Sequence, residues 1–370
     1  MTLTDHMRDP MRPLRILHLT AGSDAGGLSR YIYDLGTAMV AQGHQVAVAG
    51  ERGAWHWLFE KSPLPWIDVP LKGGPIALWK TASTLRAWLR DHPVDILHTH
   101  YRRPTLVARR IQRHFKLPIL YTVHLSDLAL HWPWSLFSDF GDHTHVASSE
   151  ARRWVIEAGH VPPDRVSLIH HGIDVAKFPL ADEETRRAAR AALHLPQEAR
   201  IAAFVGRLDY PKNEEWLLDV AERMPNLHIL YAGEGPHESL IRQRSEASLE
   251  LSERVNLLGH RDPLIVYQAA DALLLPSIRE GFSLVCAEAM SVGTPCLRTH
   301  TAGTTELIHE NATGRSVPIN HRAFVESAVE FLSLPTETLR RMGSAASEHV
   351  RRNYTYDKQL DQTLALYRRL

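Results

Sequence analysis

The chain has 370 residues, 44% of them hydrophobic and 23% charged, which is enough apolar material for more than one core and excludes disorder over most of its length. Forty-two basic residues balance 42 acidic ones, so no overall basicity points to nucleic acid. Residues 1–120 nevertheless hold 16 basic and 9 acidic side chains, or +7, and residues 121–370 hold 26 and 33, or −7. Two interpretations stay open: the basic part meets an anionic partner, or the charges are unevenly scattered solvated side chains.

Short apolar runs typical of buried strands alternate with longer helical patterns along the chain. The first series of predicted strands is Arg15–Thr20, Gln45–Ala49, Asp95–Thr99, Ile119–Val123, His145–Ala147 and Val166–Ile169. Between the first two strands, apolar residues recur on one face of a predicted helix, at Leu28, Ile32, Leu35 and Met39. This alternation predicts βα units and a parallel sheet covered by helices.

A second series follows a polar, alanine-rich segment at 172–197, which is the expected linker. Its predicted strands are Ile201–Val205, Leu227–Ala232, Val255–Leu258, Ala272–Leu275 and Pro295–Leu297, and a last helical pattern covers Tyr354–Leu370. The two series predict an α/β protein with two doubly wound, Rossmann-like domains facing each other across a cleft. The expected domains are residues 1–172 and 173–353, with a final helix at 354–370 that packs back on the N-terminal domain. Ligands are expected at the carboxyl ends of the strands.

Cysteine usage and apolar patterning bear on the compartment. Cys286 and Cys296 form no CxxC pair and lie in apolar surroundings, as reduced core cysteines do. Residues 1–13 lack the apolar segment of a secretion signal, and no stretch approaches the ~18 apolar residues of a membrane span. We therefore expect a cytoplasmic protein, at most peripheral on the inner face of the membrane.

The stretch REGFSLVCAEAMSVGTP at 279–295 carries the most chemical information. Glu280 follows a predicted strand and loop, Gly281 lets the chain turn, and Ser283 is placed to cap a helix that runs to about Val292. The first helical N–H groups, near 282–285, suit an anion such as phosphate, and Glu288 on the same helix suits the two hydroxyls of a ribose. This pattern fits a nucleotide diphosphate joined to a sugar. The alternative is that Glu288 complements the helix dipole and Glu280 is a surface turn residue.

A second group of candidate residues lies in FVGRLDYPK at 204–212. Arg207 and Lys212 follow a predicted strand, where two cations would neutralise a diphosphate; the alternative is a solvated loop. Glycine-rich stretches at 21–29 (AGSDAGGLS) and 232–236 (AGEGP) lack the G-x-G-x-x-G spacing of a dinucleotide site. Their spacing counts against an NAD-dependent oxidoreductase.

Several motifs, in order, resemble family 4 of the glycosyltransferases, which are retaining enzymes of GT-B fold. They are DILHTH at 95–100, TVH at 122–124, HHGIDVAKF at 170–178, GRLDYPKN at 206–213, LYAGEGP at 230–236 and the Glu280-x7-Glu288 pair, and the resemblance covers about residues 14–370. It implies a hexosyltransferase that needs no metal or other cofactor. Such an enzyme moves a sugar from a nucleoside-diphosphate sugar, with UDP favoured, to a hydroxyl of a glycan or lipid-linked acceptor in polysaccharide or glycolipid synthesis.

The resemblance also implies roles for individual residues. It gives the donor diphosphate to Arg207 and Lys212 and the ribose to Glu288. Glu280 would bind the hydroxyls of the transferred sugar, helped by backbone N–H groups, and His124 would orient and stabilise charge at the reacting centre. The full expected donor-binding set is Gly26, Gly27, Arg207, Lys212, Glu280, Gly281, Phe282, Ser283, Leu284 and Glu288, and the expected catalytic residues are His124, Glu280, Arg207 and Lys212.

Two positions depart from the family pattern, and rival functions follow from the same fold. His171 stands where the family usually has Asn, and Asn213 replaces the common glycine after the motif lysine. A GT-B nucleotide-sugar epimerase or hydrolase would need further carboxylates and no acceptor. An inactive sugar-nucleotide-binding subunit would have no need of all four charged residues of the motifs.

The remaining motifs have a functional and a structural interpretation each. His98-x-His100 shares one strand face but has no Cys or acidic neighbour at ligand spacing, so acceptor contacts or a polar core role are favoured over a metal. The run 102–116 carries six cations and no acid, and it lies either on anionic lipid headgroups or on the surface as a solvated helix. An aromatic cluster either stacks an acceptor or packs in the core, and it comprises Trp132, Trp134, Phe137 and Phe140.

Overall fold

The computed structural model describes residues 12–24, 26–124 and 138–370. The contacts between residues divide the chain into two units. The first unit comprises Met1–His170 and Gln359–Leu370, and the second comprises His171–Lys358. The divisions thus fall at 170/171 and 358/359, where the sequence predicted 172/173 and 353/354.

A parallel sheet forms the centre of the first unit. Its strands are β1 (Arg15–Gly22), β2 (Gln45–Glu51), β3 (Trp66–Asp68), β4 (Ile96–His100), β5 (Ile119–Val123), β6 (His143–Val146) and β7 (Val166–Leu168). They lie in the order β3-β2-β1-β4-β5-β6-β7. The six strands predicted for this unit are confirmed. β3 is additional, and it is a three-residue strand between Pro65 and Pro70, a context typical of loops.

Helices cover both faces of this sheet. They are α1 (Gly27–Ala41), α2 (His56–Glu60), α3 (Pro75–Asp91), α4 (Arg102–Phe115) and α5 (Ser149–Glu157). Side chains alternate between the faces, so Ile16 of β1 packs in one core with Ile32 of α1, and Leu17 packs in the other with Leu85 of α3. The sheet is therefore doubly wound, as predicted.

The second unit has a six-stranded parallel sheet of the same kind. Its strands are β8 (Arg200–Val205), β9 (Leu227–Ala232), β10 (Val255–Leu257), β11 (Ala272–Leu275), β12 (Cys296–Thr299) and β13 (Gly314–Val317), in the order β10-β9-β8-β11-β12-β13. Its helices are α6 (Glu183–Ala192), α7 (Trp216–Arg223), α8 (Glu238–Glu246), α9 (Leu249–Ser252), α10 (Pro263–Ala269), α11 (Leu284–Val292), α12 (Thr304–Leu307), α13 (His321–Leu332) and α14 (Thr336–Asn353). The direction of the strand order changes between β8 and β11, and parallel α/β sheets generally bind ligands beyond the carboxyl ends of the strands at such a point.

The expected linker at 172–197 is wrong for its central part, because it contains α6. The Asp182 side chain caps this helix by accepting a bond from the Thr185 N–H at 2.8 Å. Arg186 and Arg190 are buried, and Arg190 pairs with Asp271 at 3.0 Å. The sequence predicts a linker here because long arginine side chains count as polar in a sequence even where they turn inward.

A final helix, α15 (Tyr356–Tyr367), belongs to the first unit from Gln359 onward. It adds Leu360, Leu364, Leu366 and Tyr367 to the same core as Ile16 and Ile32. In the described part of the chain, no helix has the length and hydropathy needed to cross a bilayer. Cys286 and Cys296 are buried and do not form a disulfide.

Candidate functional site

Two glycine-containing loops of the second unit lie backbone against backbone. The Leu208 N–H donates to the Glu234 carbonyl at 3.0 Å, and the His237 N–H donates to the Leu208 carbonyl at 3.0 Å. A Cβ on Gly233 would lie 1.8 Å from the Gly206 oxygen, so this approach requires glycine. The glycines of AGEGP therefore have a structural role, since they let this loop pack against the loop that carries Arg207. Their presence does not require a dinucleotide-binding site.

Three bonds hold the loop after β8 against the loop after β11. The Lys212 ammonium lies 2.7 Å from Glu280 Oε1. The Ile278 N–H donates to the Pro211 carbonyl at 2.9 Å, and the Asn213 side-chain amide donates to the Pro276 carbonyl at 3.1 Å. Asn213 has a φ of +50°, a conformation that asparagine adopts more readily than most residues, so its replacement of glycine fits the loop.

Glu280 is a largely buried carboxylate held between cations. Burial alone would raise its pKa, but Lys212 and the guanidinium of Arg298 outweigh that effect and hold the pKa of Glu280 below its ordinary value. Arg298 is 1% exposed, on β12, and donates to Thr301 Oγ1 at 2.6 Å. The arrangement keeps Glu280 ionised and able to accept hydrogen bonds from hydroxyl groups.

Helix α11 begins beside Glu280, as the sequence predicted. Ser283 caps it by accepting a bond from the Cys286 N–H at 3.4 Å, and Gly293 ends it in the left-handed conformation. The N–H groups of its first turn have no carbonyl partner inside the helix, and the helix dipole favours an anion there. This end of the helix is suited to a phosphate.

Glu288 is the fifth residue of α11, just over one turn from its start, and its side chain is half-buried. Its Oε2 accepts a bond from the Tyr267 hydroxyl of α10 at 2.9 Å. Burial raises the pKa of Tyr267 well above its ordinary value, so the phenol stays a donor. Tyr267 thus fixes one oxygen of the carboxylate that the sequence assigned to a ribose.

The ring of Phe282 packs inside the second unit. The ring is buried and meets Tyr354 edge-on, with ring centroids 5.2 Å apart, and His171 at 6.0 Å. The adjacent Gly281 carbonyl would lie 2.8 Å from a Cβ on Gly303, so the loop before α12 supports this turn closely. His171, the departure from the family pattern, is a buried residue of this aromatic contact.

The first unit holds the other three predicted site residues. Gly26 precedes α1 with a φ of +143°, and Cβ atoms added to Gly26 or Gly27 would meet open space. His124 follows β5, half-buried, and its ring lies edge-on to Tyr31 of α1 at 5.2 Å. Its Nε2 lies 3.0 Å from Nδ1 of His100, so His98-x-His100 belongs to a polar cluster beneath His124.

Among the residues that the structure describes, two groups of side chains approach closely enough to suggest a metal. Ring nitrogens of His18, His98 and His100 lie within 4.8 Å of one another, as do ligand atoms of a second group comprising Glu214, Glu215 and His237. Both ring nitrogens of His98 and of His100 lie within hydrogen-bonding distance of protein groups. Glu214 Oε1 lies 2.9 Å from His237 Nδ1. These contacts are accounted for by hydrogen bonds, and the expectation that no metal is used stays a prediction.

The basic run forms α4, which turns its apolar side inward. Val107, Ala108 and Ile111 are 0% exposed. Arg109 is engaged by Asp139, at 2.6 Å, and by Asp142. The cations left on the exposed side are Arg103, Arg110, Arg113 and Lys116.

Most of the aromatic cluster lies outside the described residues, namely Trp132, Trp134 and Phe137. Phe140 packs edge-on to Tyr121 and Trp154 at 5.7 and 6.0 Å.

The structure brings Lys212 to Glu280 beside the start of α11 and places Glu288 on that helix. It pairs Arg207 with Asp209 and places Gly26, Gly27 and His124 in the first unit. It adds three residues that the sequence did not single out: Tyr267, Arg298 and His18. Each meets its partner within its own unit, from a strand or helix whose neighbours are set by sheet order, so no local spacing in the sequence marks it.

Comparisons with known proteins agree with this architecture. A family model described as Glycosyltransferase Family 4 matches residues 25–177, and one described as Glycosyl transferases group 1 matches residues 185–349. Among solved structures, the Anabaena protein HepE in complex with UDP and glucose superposes with a TM-score of 0.81 at 17% identity, covering 96% of this chain and 100% of that one. A Rickettsia africae glycosyltransferase gives a TM-score of 0.83 at 20% identity, covering 96% and 98%. At these identities the likeness establishes the fold, which is GT-B.

A curated relative from Mycobacterium tuberculosis, D-inositol 3-phosphate glycosyltransferase, is 30% identical over 316 residues. The match covers 78% of this chain and 65% of the relative's length. The two family models divide the chain near the boundary between its units and together span most of it. The chain belongs to the GT-B glycosyltransferases of family 4.

Proposed function

We propose that the protein is a retaining glycosyltransferase that moves a hexose from a nucleoside-diphosphate sugar, UDP favoured, to a hydroxyl of a glycan or lipid-linked acceptor. The observation that carries the proposal is the Lys212–Glu280 contact of 2.7 Å beside the start of α11, with Glu288 on the same helix. One carboxylate for the sugar, one for the ribose and cations with a helix N-terminus between them match the parts of such a donor.

The charges are placed where the reaction develops them. Breaking the bond between the sugar and the diphosphate leaves negative charge on the phosphates, and preorganised positive groups stabilise it. A lysine ammonium has three N–H donors, so Lys212 can keep Glu280 and still reach a phosphate. The Arg207 side chain is 60% exposed, and its ion pair with Asp209 at 3.5 Å is a surface contact. Surface ion pairs contribute little free energy, so Arg207 can leave Asp209 and bind a ligand at little cost in stability.

In the proposed reaction the acceptor hydroxyl attacks the anomeric carbon from the same face of the sugar that the diphosphate leaves, so the configuration is retained. The acceptor hydroxyl gives its proton to the departing phosphate oxygen while its own oxygen bonds to the anomeric carbon, so no enzyme nucleophile is needed. His124 stabilises the positive charge that develops on the sugar. Metal independence belongs to the same proposal, because cations of the protein do the work at the phosphates.

UDP is supported as the donor nucleotide by HepE, whose structures are described as complexes with UDP and with UDP-glucose. An epimerase or hydrolase, or an inactive binding subunit, would share the donor site, so transfer to an acceptor separates them. For a lipid-linked acceptor we place the enzyme at the cytoplasmic face of the membrane, with the exposed side of α4 toward anionic headgroups, in polysaccharide or glycolipid synthesis.

The donor site is tested by a thermal-shift panel of UDP, GDP, ADP, dTDP and CMP. A nucleotide at 100 times its dissociation constant should stabilise the protein by roughly 2.7 kcal/mol, a clear rise in melting temperature. Arg207→Ala should abolish the shift, while Arg322→Ala serves as the matched control because Arg322 pairs only on the surface with Glu326. A panel with no shift, or an unchanged shift in Arg207→Ala, would refute the assignment of the diphosphate site.

Transfer itself is tested with the sugars of the nucleotide that binds. Release of free nucleotide that requires an added acceptor supports the transferase, and the anomeric configuration of the product, read by NMR, decides retention. Nucleotide release without an acceptor would favour the hydrolase, and binding without turnover would favour the inactive subunit.

A further inference from the structure

A stripe of polar side chains crosses the face of the first unit's sheet that carries α1 and α15. In β1 and β4 the apolar residues Ile16 and Ile96 on this face are followed, two residues on, by His18 and His98. His18 is paired in register with His98, and Thr122 with His145. The members of the stripe, all 0% exposed, are His18, His98, His100, Thr122 and His145.

One row of hydrogen bonds in this stripe does not involve His124. Which group donates in each of its bonds follows from the bond at its end, between His145 and Ile169. His145 Nε2 lies 2.8 Å from the Ile169 carbonyl, which can only accept, so His145 carries its hydrogen on Nε2. Thr122 then donates to His145 Nδ1 at 2.9 Å and accepts from His98 Nε2 at 2.6 Å. Tyr367 donates to His98 Nδ1 at 2.6 Å. Every hydrogen in this row is therefore assigned.

The second row ends at His124. His18 Nδ1 lies 3.0 Å from His100 Nε2, and His100 Nδ1 lies 3.0 Å from His124 Nε2. Burial lowers the pKa of His18 to about 3 and that of His124 to about 3, and it holds the pKa of His100 well below its ordinary value. Each ring is thus neutral and has a single N–H to give.

The three ring hydrogens of this neutral row can be placed in two ways that give each hydrogen bond one donor and one acceptor. Because every contact joins an Nδ1 to an Nε2, one donor in each bond requires all three hydrogens on Nδ1 or all three on Nε2. Any other distribution places two hydrogens, or two lone pairs, against each other inside the protein, which forfeits a buried hydrogen bond. His18 Nε2 is buried and has no hydrogen-bond partner among the described residues, so no contact within that part of the chain competes with the row at that end.

We propose that His18 and His100 are positioning residues that hold His124 in one tautomer and one ring orientation for the sugar-transfer step. The catalytic part rests on the proposed function, which puts His124 at the reacting sugar. Neither residue touches substrate in this scheme. They act by deciding which nitrogen of His124 carries the hydrogen, and therefore whether His124 presents an N–H or a lone pair through its other nitrogen.

The direct test is long-range ¹H–¹⁵N correlation NMR on protein labelled at histidine, between about pH 6.5 and pH 8. We expect His18, His100 and His124 to share one tautomer, and His98 and His145 to carry hydrogen on Nε2. His100→Phe should release His124 into a mixture of tautomers. Different tautomers within the row, averaged nitrogens in the unmodified protein, or an unchanged His124 in His100→Phe would overturn the proposal.

Kinetics supply the second readout. His100→Phe should lower kcat by roughly tenfold or more, the loss expected when the group that orients a functional imidazole is removed, with donor KM changed by less than about twofold. Thr122→Val is the matched control, since Thr122 is equally buried and its hydroxyl bonds to His98 and His145 of the other row. It should leave kcat and the His124 tautomer unchanged even if the melting temperature falls, and an equal loss of kcat would refute the positioning role.

A second variant guards against misfolding of His100→Phe. His18→Leu keeps the bond between His100 and His124 and removes only the far end of the row. It should allow a fraction of His124 to adopt the other tautomer, and it should lower kcat less than His100→Phe does. A shared tautomer in a protein that transfers no sugar would refute the proposed function while supporting the hydrogen-bonded row. Active protein with mixed tautomers would refute the row alone.

Discussion

Mild acid should unfold the first unit, because it buries neutral histidines. His18, His98, His100 and His145 are 0% exposed. Burial lowers the pKa of His18 to about 3 and that of His145 to about 4, from an ordinary value of 6.5, and the pKa values of His98 and His100 also lie well below it. As the pH falls through 6.5, these histidines bind protons in the unfolded chain but stay neutral in the folded chain. Stability is therefore full above this pH and is lost progressively toward pH 4.

The size of the effect follows from linkage. For one histidine with an unfolded pKa of 6.5, lowering the pH from about 7 to about 5.5 costs about 1.3 kcal/mol, so the four buried rings cost about 5 kcal/mol together. A domain is stable by only about 5–15 kcal/mol, so the first unit should approach its unfolding midpoint near pH 5. Carboxylate protonation lies at lower pH and does not account for a loss in this range.

Urea unfolding at closely spaced pH values measures the slope, and hydrogen exchange of peptides from β1, β4 and β5 assigns it to the first unit. Removing one buried ring, as in His145→Gln, should reduce the slope by up to about 1.4 kcal/mol per pH unit. His92→Gln is the control because His92 is exposed. A free energy of unfolding that stays level between pH 7 and pH 5.5, or an equal change of slope in both variants, would refute the reasoning.

Three further predictions concern binding, packing and the basic helix. Glu288→Gln should weaken UDP binding by about tenfold in calorimetry, since the ribose loses an ionised acceptor, whereas Glu326→Gln on α13 should not; equal affinities would remove the ribose role. Gly233→Ala should lower the melting temperature sharply because its Cβ would lie 1.8 Å from the Gly206 oxygen, while Gly27→Ala has open space and should melt like the parent protein. Arg110→Gln with Arg113→Gln should reduce sedimentation with phosphatidylglycerol vesicles at low salt, and binding equal to that of an Arg322→Gln control would leave α4 a solvated helix.

The strands were predictable because each is a run of apolar, often β-branched residues bounded by polar ones. Two strands were missed. β3 lies between Pro65 and Pro70, a context typical of loops, and β13 (Gly-Arg-Ser-Val) contains a single apolar residue. The site residues on motifs were predictable too, and adjacency of β8 and β11 in the sheet brings Lys212 to Glu280 across 68 positions of sequence.

What the sequence did not indicate depends on register and sheet order. Tyr267 reaches Glu288 only because α10 and α11 pack together, and Arg298 reaches the Glu280 loop only because β12 follows β11 in the sheet. His18 stands in an ordinary strand pattern, and its partners become visible when β1 and β4 are paired in register. Patterns of period two or 3.6 report which face a residue occupies, not which residue it meets there.

The division of the first unit into Met1–His170 and Gln359–Leu370 has a consequence for synthesis on the ribosome. The second unit is continuous, so all of its residues have emerged before the first unit receives Leu360, Leu364 and Tyr367. Until then the core around Ile16 lacks part of its apolar cover and His98 lacks the Tyr367 hydroxyl. Domains that fold during translation fold as units, so here the unit that begins to emerge before the second unit is completed after it.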